Sequence, residues 1–359
     1  MSQKIAVVGA GILGSWVAYD LQRNGFQVSL YNDGPACSLA AGGLLCPFSE
    51  LDFAEPLIAE LGMASLKKWE AFSQHEPSFY FRREGSLVVC HSQDVNQLQH
   101  FRHRLESLEM LDHGTAVRRE NLAVLEPDLD PQFSEGYHFA QEGQLDPRAA
   151  WEAVKTAFLQ EGGTLRERTP VVHIAPFEIR TPTETLSFDW VMDCRGWRAQ
   201  SDLPELRGVR GERVTLHAPD VSLHRPIRLL HPHTPLYIAP LPGHRFIVGA
   251  SCIESESEAP ITVRTLLELL SGAYLINPKF AEASVEETWV AHRPALRDNL
   301  PRLFWEEGLT RINGLYRHGF LLSPALAEMV TAKLQSERTK WPELFNEKGS
   351  LPLCQYESA

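Results

Sequence analysis

The spacing of apolar positions changes period several times along this chain, and each change marks an element. KIAVV at 4–8 is a short apolar run rich in β-branched residues and predicts a strand. ILGSWVAYDLQRNG at 12–25 has apolar residues at helical intervals and ends on a glycine stop; QVSLY at 27–31 returns to a strand. Strand, helix and strand within ~30 residues make a βαβ unit. Helical spacing recurs at 56–72, with Trp69 and Phe72 on the apolar face, at 94–111 with a polar face, and at 146–163, where a second glycine stop follows. SLVVC at 86–90 reads as a strand, as do TLRERTPVVHI (164–174), ETLSFDWVMDCRG (184–196) and GERVTLHA (211–218).

From about 208 to 293 the texture changes. RPIRLLHP, PLYIAPL and HRFIVGAS are short strands split by Pro and Gly, with one helix at 262–275. This predicts an antiparallel sheet inserted into an α/β chain. Near the C-terminus, NGLYRHGFLLSPALAEMV (313–330) ends in a helix, for which Ser323 suits the N-cap and Pro324 the first helical position. Ahead of it, Arg317 and His318 stand between an aromatic residue and a glycine, an odd place for charge at the mouth of a buried helix. No internal repeat or low-complexity segment occurs, and the chain after Trp341 carries little signal.

Composition narrows the function classes. The 359 residues are 43% hydrophobic and 22% charged, enough for a substantial core and for about two domains. A net charge of −12 without a run of like charges makes nucleic acid a poor partner. No apolar stretch reaches the ~18 residues of a membrane span, and MSQKIAVVGAG lacks the pattern of a signal peptide. The six scattered cysteines, without CxxC, fit thiols in a reducing cytoplasm, so a cytoplasmic location is expected. No metal site is expected either: HPH at 231–233 reads as loop or strand polarity.

The most specific local chemistry is Gly9-Ala10-Gly11-Ile12-Leu13-Gly14, a GxGxxG between a strand and a helix of the βαβ unit. Gly9 permits the tight turn and Gly11 lets backbone approach a pyrophosphate. Gly14 allows close helix–strand packing, and the N–H groups of the helix start favour the anion. The second strand should end in an acid for the ribose; here Asn32 stands in that place and Asp33 follows, and either would serve. CSLAAGGLLCPFSE (37–50) then replaces the helix normal for a nicotinamide domain. Its small residues, Ala41, Gly42 and Gly43 before Leu44, suit close approach of backbone to a large flat ring.

With these segments, the chain resembles the D-amino acid oxidase superfamily of FAD-dependent oxidoreductases, and within it the glycine oxidases of thiamine biosynthesis. The carriers are VVGAGILG, SLAAGGLLCP, TPVVHI, DWVMDCRGW, LRGVRGE, PLYIAPLPGHRFIVGAS, HRPALRDNLPR and INGLYRHGFLLSPAL, in this order over nearly the full length. The resemblance implies a Rossmann-like FAD-binding domain (1–82, 141–207 and 291–359) interleaved with an antiparallel substrate domain (83–140 and 208–290). It implies non-covalent FAD held by the GxGxxG turn, the 41–44 run, Val171 or Val172 against the adenine, Gly196, and the loop from Leu315 through Tyr316, Arg317, His318, Gly319 and Phe320 to Leu321.

The same resemblance places Arg293 on the substrate carboxylate, where a planar guanidinium makes paired, charge-assisted hydrogen bonds. Tyr237 would hydrogen-bond that carboxylate or order a water, and Arg317 would add positive charge beside substrate and ring. Arg195 would reach the FAD phosphates or close an ion pair. The expected reaction is oxidation of a small amino acid, glycine or similar, by hydride transfer from the α-carbon, with oxygen as acceptor and imine and hydrogen peroxide as products. A D-amino acid or N-methyl amino acid oxidase or dehydrogenase of this fold, and an oxidase domain of tRNA modification, are the alternatives. The sequence leaves the oligomeric state open, a homo-oligomer included.

Overall fold

In the computed structural model, which describes residues 2–232 and 235–346, the predicted βαβ unit forms as Lys4–Val8, Ile12–Arg23 and Gln27–Tyr31. It nucleates a seven-stranded sheet in the order Phe345–Asn346, Arg302–Glu306, Leu309–Asn313, Trp190–Asp193, Lys4–Val8, Gln27–Tyr31, Thr164–Arg166. All pairs are parallel except the hairpin of Arg302–Glu306 with Leu309–Asn313. One face is covered by four helices, Ile12–Arg23, Pro56–His75, Pro147–Gln160 and Gly319–Leu334, in one continuous core. The other face packs Tyr31, Val191 and Leu309 against Ile174 and Ile179 of a small antiparallel sheet.

The second large sheet has nine strands. Its spine is the pair Arg207–His217 and Ser284–Ala295, and its core is shared with the helix Val263–Ile276 through Val214, Ile238, Val248 and Leu269. The Thr262 hydroxyl caps that helix by accepting from the Thr265 N–H. The pairing is antiparallel throughout, save that Ile227–Leu230 runs parallel to Leu87–Cys90. That pair joins the two sequence pieces of the sheet. The strand Ser284–Ala295 continues unbroken through residues 290 and 291.

Three expectations need correction. The run 164–174 is not one strand: Thr164–Arg166 joins the large sheet, and His173–Ala175 begins the small one. The run 184–196 divides in the same way, Thr185–Ser187 in the small sheet and Trp190–Asp193 in the large one. The last helix does not start at Pro324. It begins at Gly319, with Pro324 inside it. Proline removes the N–H that would bond the carbonyl four residues back, so the Phe320 carbonyl loses its intrahelical partner. The Trp69 indole N–H donates to that carbonyl at 2.8 Å, and the Ala325 N–H goes to the Ser65 hydroxyl at 3.0 Å. Ser323 turns its hydroxyl back to the Gly319 carbonyl at 2.5 Å instead of capping. The helix Pro56–His75 therefore repairs the proline defect, and the extra turn carries the helix N-terminus forward to the site below.

This repair predicts a measurable cost. Trp69→Phe keeps an aromatic ring in the core but strands a buried carbonyl, which should cost ~1–3 kcal/mol. Denaturant unfolding at constant m-value reads it. An unchanged midpoint would mean that the Phe320 carbonyl does not depend on Trp69.

Among the described residues, no helix is long and apolar enough to cross a membrane and no group of side chains is set to hold a metal. The five described cysteines are free thiols, with Cys46, Cys90 and Cys194 buried. His233 of the HPH segment and Cys354 lie outside the described residues.

Candidate active site

A cavity of about 590 Å³ runs between the two large sheets. At one end it meets the tips of Lys4–Val8 and Gln27–Tyr31. Gly9 has φ +101° there and donates its N–H to the Tyr31 carbonyl at 3.0 Å. A Cβ on Gly9 would lie 2.6 Å from the Cys194 carbonyl oxygen. Gly11, Ile12 and Leu13 line the cavity, and Gly11, at the N-cap position, contributes no side-chain cap. Gly14, like Val172, does not border the cavity. A Cβ at Gly14 would collide with the Gly9 carbonyl oxygen, so Gly14 sets the spacing of turn and helix.

Asn32 and Asp33 both line this end. The Asn32 amide donates to Glu167 at 2.5 Å, which leaves its oxygen as the acceptor. Val171 borders the cavity, whereas Val172 is exposed and does not. Arg195 is held by Asp193 through 2.9 and 2.7 Å hydrogen bonds and by Asp202, so it closes an ion pair. Arg198, which the sequence did not single out, instead lies exposed at the cavity edge and donates to the Asp33 carbonyl. Ser38 was also missed: its hydroxyl accepts the Ile12 N–H at 2.9 Å.

In the middle, Ala41, Gly42, Gly43 and Leu44 form a wall. Their small size has a protein-side cause as well as the expected one. A Cβ at Gly42 would overlap the ring and hydroxyl of Tyr237, and one at Gly43, where φ is +73°, would meet the Leu145 carbonyl. Arg213 fastens this wall to the nine-stranded sheet by donating to the Leu39 carbonyl at 2.8 Å. Gly196 lines the opposite side at φ +58°.

At the far end the cavity becomes polar. Arg293 rises from Ser284–Ala295, lies flat over Gly211, where a Cβ would sit 2.5 Å from the guanidinium carbon, and donates to the Ser251 carbonyl at 2.9 Å. Among the described residues it has no carboxylate partner within ion-pair distance. Tyr237 stands beside it, between Gly42 and Gly249. Burial raises the pKa of Tyr237 and the nearby Arg293 and Arg213 only partly oppose this, so the phenol keeps its proton at neutral pH. It can therefore donate a hydrogen bond to an anion.

The loop Leu315–Leu321 closes this end, and all seven of its residues line the cavity. Tyr316 takes φ +49°, a left-handed conformation uncommon for a side chain of its size. Its hydroxyl lies 2.9 Å from Cys252 Sγ, and burial with that thiol pushes its pKa up to about 12. Arg317 reaches the cavity, but its charge is not free as the sequence led us to expect. Its guanidinium pairs with Glu50 at 3.0 Å, and His318 Nδ1 lies 3.5 Å from the other Glu50 oxygen. Burial works to raise the Glu50 pKa, and the guanidinium groups, Arg317 foremost with Arg228 and Arg293, more than reverse it. Glu50 is thus a carboxylate at neutral pH. Burial drives the His318 pKa down to about 4 despite Glu50, so the imidazole is neutral.

A long cleft that starts at a dinucleotide turn and ends at an uncompensated, part-buried arginine suits an enzyme that places a dinucleotide cofactor beside an anionic substrate. The site fits FAD on its own terms: a bare glycine turn, a helix start whose N-cap residue, Gly11, carries no side chain, and a wall of small residues. Comparison with known proteins gives the family. The model of the FAD dependent oxidoreductase family (DAO) matches residues 4–333, and the chain belongs to that family. A Rhizobium etli protein named "Putative thiamine biosynthesis oxidoreductase ThiO" is 42% identical over 339 residues, covering 93% of this chain and 97% of the relative. The glycine oxidase of Geobacillus kaustophilus is 24% identical over 365 residues, 93% of each chain. The crystal structure of a G. kaustophilus glycine oxidase superposes with a TM-score of 0.84 at 21% identity, over 97% of this chain and 99% of that one, which shows the shared fold. The protein is an FAD-dependent oxidoreductase of the ThiO/glycine oxidase type.

Proposed function

We propose that this enzyme oxidises a small amino acid, glycine or a near relative, to its imine, with molecular oxygen as electron acceptor and hydrogen peroxide as product. The observation that carries this reading is Arg293, a part-buried guanidinium without a carboxylate partner, next to a protonated Tyr237 at the closed end of the cleft. A guanidinium left uncompensated in such a place is stabilised by an anionic ligand. A carboxylate gripped by its planar fork, with Tyr237 donating to the same group, holds the attached α-carbon in one orientation. When bound, FAD supplies the acceptor for the α-hydrogen and its electron pair and passes two electrons to oxygen. The neutral amine loses one nitrogen proton to solvent and keeps the other on the imine, which water hydrolyses.

The chain's own contribution is position and electrostatics. Gly9, Gly11, Ile12 and Leu13 would hold the pyrophosphate, Asn32 or Asp33 the ribose, and Val171 the adenine. Ala41 to Leu44, Gly196 and Leu315 to Leu321 would enclose the ring system. The N-terminus of Gly319–Leu334 would favour negative charge that develops beside it. The domain of 1–82, 141–207 and 291–359, built on the seven-stranded sheet, would carry the cofactor and the inserted segments (83–140 and 208–290) the substrate, with Arg293 supplied by the strand Ser284–Ala295 that crosses the boundary. Limited proteolysis that released a stable fragment ending near residue 207 would contradict this interleaving. A place in thiamine biosynthesis is supported by the name of the R. etli relative.

Two measurements test the proposal. The purified protein should be yellow and should release intact FAD on acid denaturation. An oxygen electrode should record uptake with glycine, sarcosine or D-alanine, with peroxide formed in equal amount. Oxidation of these amines only with a quinone acceptor would make the protein a dehydrogenase and remove oxygen from the scheme.

A further inference from the structure

The closed end of the cleft carries two arginines and one carboxylate. Arg293, Arg317, His318 and Glu50 all line it. Glu50 spans Arg317 at 3.0 Å and His318 at 3.5 Å, and the Glu50 and Arg317 side chains are 12% and 19% exposed. Arg228, a further cation near Glu50, is already tied to Asp52 by two 2.7 Å bonds. With His318 neutral, Arg293 is, among the described residues lining this end, the cation without an ion-pair partner. The loop of Glu50 and the loop of Arg317 come from distant parts of the chain, so this cancellation is built by the fold.

We propose that Glu50 is a positioning residue that restricts the pocket to substrates with one carboxylate, by occupying the guanidinium of Arg317. This rests on the reading that Arg293 takes the substrate carboxylate. A second carboxylate on the substrate nitrogen would enter a region where Arg317, the remaining cation among the described residues lining it, is already paired, and it would meet the Glu50 charge. Removing that charge while keeping the side-chain shape leaves Arg317 part-buried and uncompensated, which favours an anion in its place. Glu50→Gln makes this change, since its amide oxygen still accepts from Arg317.

The test compares sarcosine with iminodiacetate, two N-substituted glycines of which only the second carries an extra carboxylate. In the FAD-loaded wild type, kcat/KM should favour sarcosine. In Glu50→Gln the iminodiacetate to sarcosine ratio should rise by ~10-fold or more, the scale of one charge-assisted hydrogen bond. A structural role for Glu50 would lower both substrates together; an unchanged ratio overturns the proposal. Calorimetric titration of the FAD-loaded protein with acetate and malonate gives a second reading without turnover. Malonate should bind the wild type no more tightly than acetate, and the variant ~10-fold more tightly. If Glu50→Gln fails to fold, the wild-type titration still decides, because malonate binding ~10-fold above acetate would show that Arg317 is already available. If the wild type oxidises neither glycine nor sarcosine, the functional reading fails, while the titration still tests the masking of Arg317.

Discussion

Arg293→Lys should retain FAD and the fold and lose ~10–150-fold in kcat/KM for glycine. The estimate takes ~1.5–3 kcal/mol for one charge-assisted hydrogen bond, all of it expressed in the transition state. Lysine keeps the charge but presents a point donor in place of a planar fork, so the α-carbon is held less firmly. Arg293→Ala should lose more. The structure sharpens the control, because Arg293 makes only one hydrogen bond to the protein, to the Ser251 carbonyl, and no ion pair among the described residues. Its replacement should barely move the unfolding midpoint. The measurement is the contrast between glycine and a carboxylate-free amine. Equal losses for the two would make Arg293 a structural residue and send the search for the carboxylate site elsewhere.

Gly14→Ala should yield a colourless protein of lowered stability. The added Cβ points into the Gly9 carbonyl oxygen, which belongs to backbone and has no rotamer with which to yield. Helix Ile12–Arg23 must move off the turn, with an overpacking cost of ~1–3 kcal/mol or more. Gly11→Ala is the informative partner. Its Cβ would meet the Ser38 hydroxyl at 3.3 Å and the Ala36 Cβ at 3.8 Å, with no backbone in the way, and Gly11 borders the cleft. That variant should fold normally and bind FAD weakly. Flavin content and thermal midpoint, taken together, separate the two glycines. Full flavin occupancy with an unchanged midpoint in Gly14→Ala would refute the packing account.

These glycines were legible in the sequence because backbone crowding excludes a side chain at Gly9 and Gly14 and a close-approaching cofactor favours none at Gly11, and three of them in register with a strand and a helix leave few alternatives. The loop 315–321 and Arg293 were legible only through resemblance, since an isolated arginine in a strand has no pattern of its own. Glu50 was not legible. It is a single acid in an irregular segment, and its meaning comes from Arg317 and His318, which reach it across more than 260 residues. The start of the last helix was misread for a similar reason. Local preferences put Pro324 at a helix start, and they cannot register that Trp69 and Ser65 of another helix supply what proline removes. Arg195 was resolvable in principle, because Asp193 stands two residues before it, but a local pair and a phosphate contact look alike in a linear text.

The helix Ile12–Arg23 packs against Gly319–Leu334, and Trp16 meets Trp69, which in turn stacks on Phe320. The two ends of the chain thus share one core. During synthesis the N-terminal βαβ unit leaves the ribosome early, and although Pro56–His75 and Pro147–Gln160 can cover part of its helix, the strip that meets Gly319–Leu334 stays open until that late helix has been made. Contacts of such sequence separation form slowly and leave partly folded chains prone to association. A nascent chain stalled before residue 319 should bind chaperones and be degraded rather than accumulate as a folded fragment. Production of the enzyme should accordingly respond to temperature and chaperone supply more than its final stability suggests.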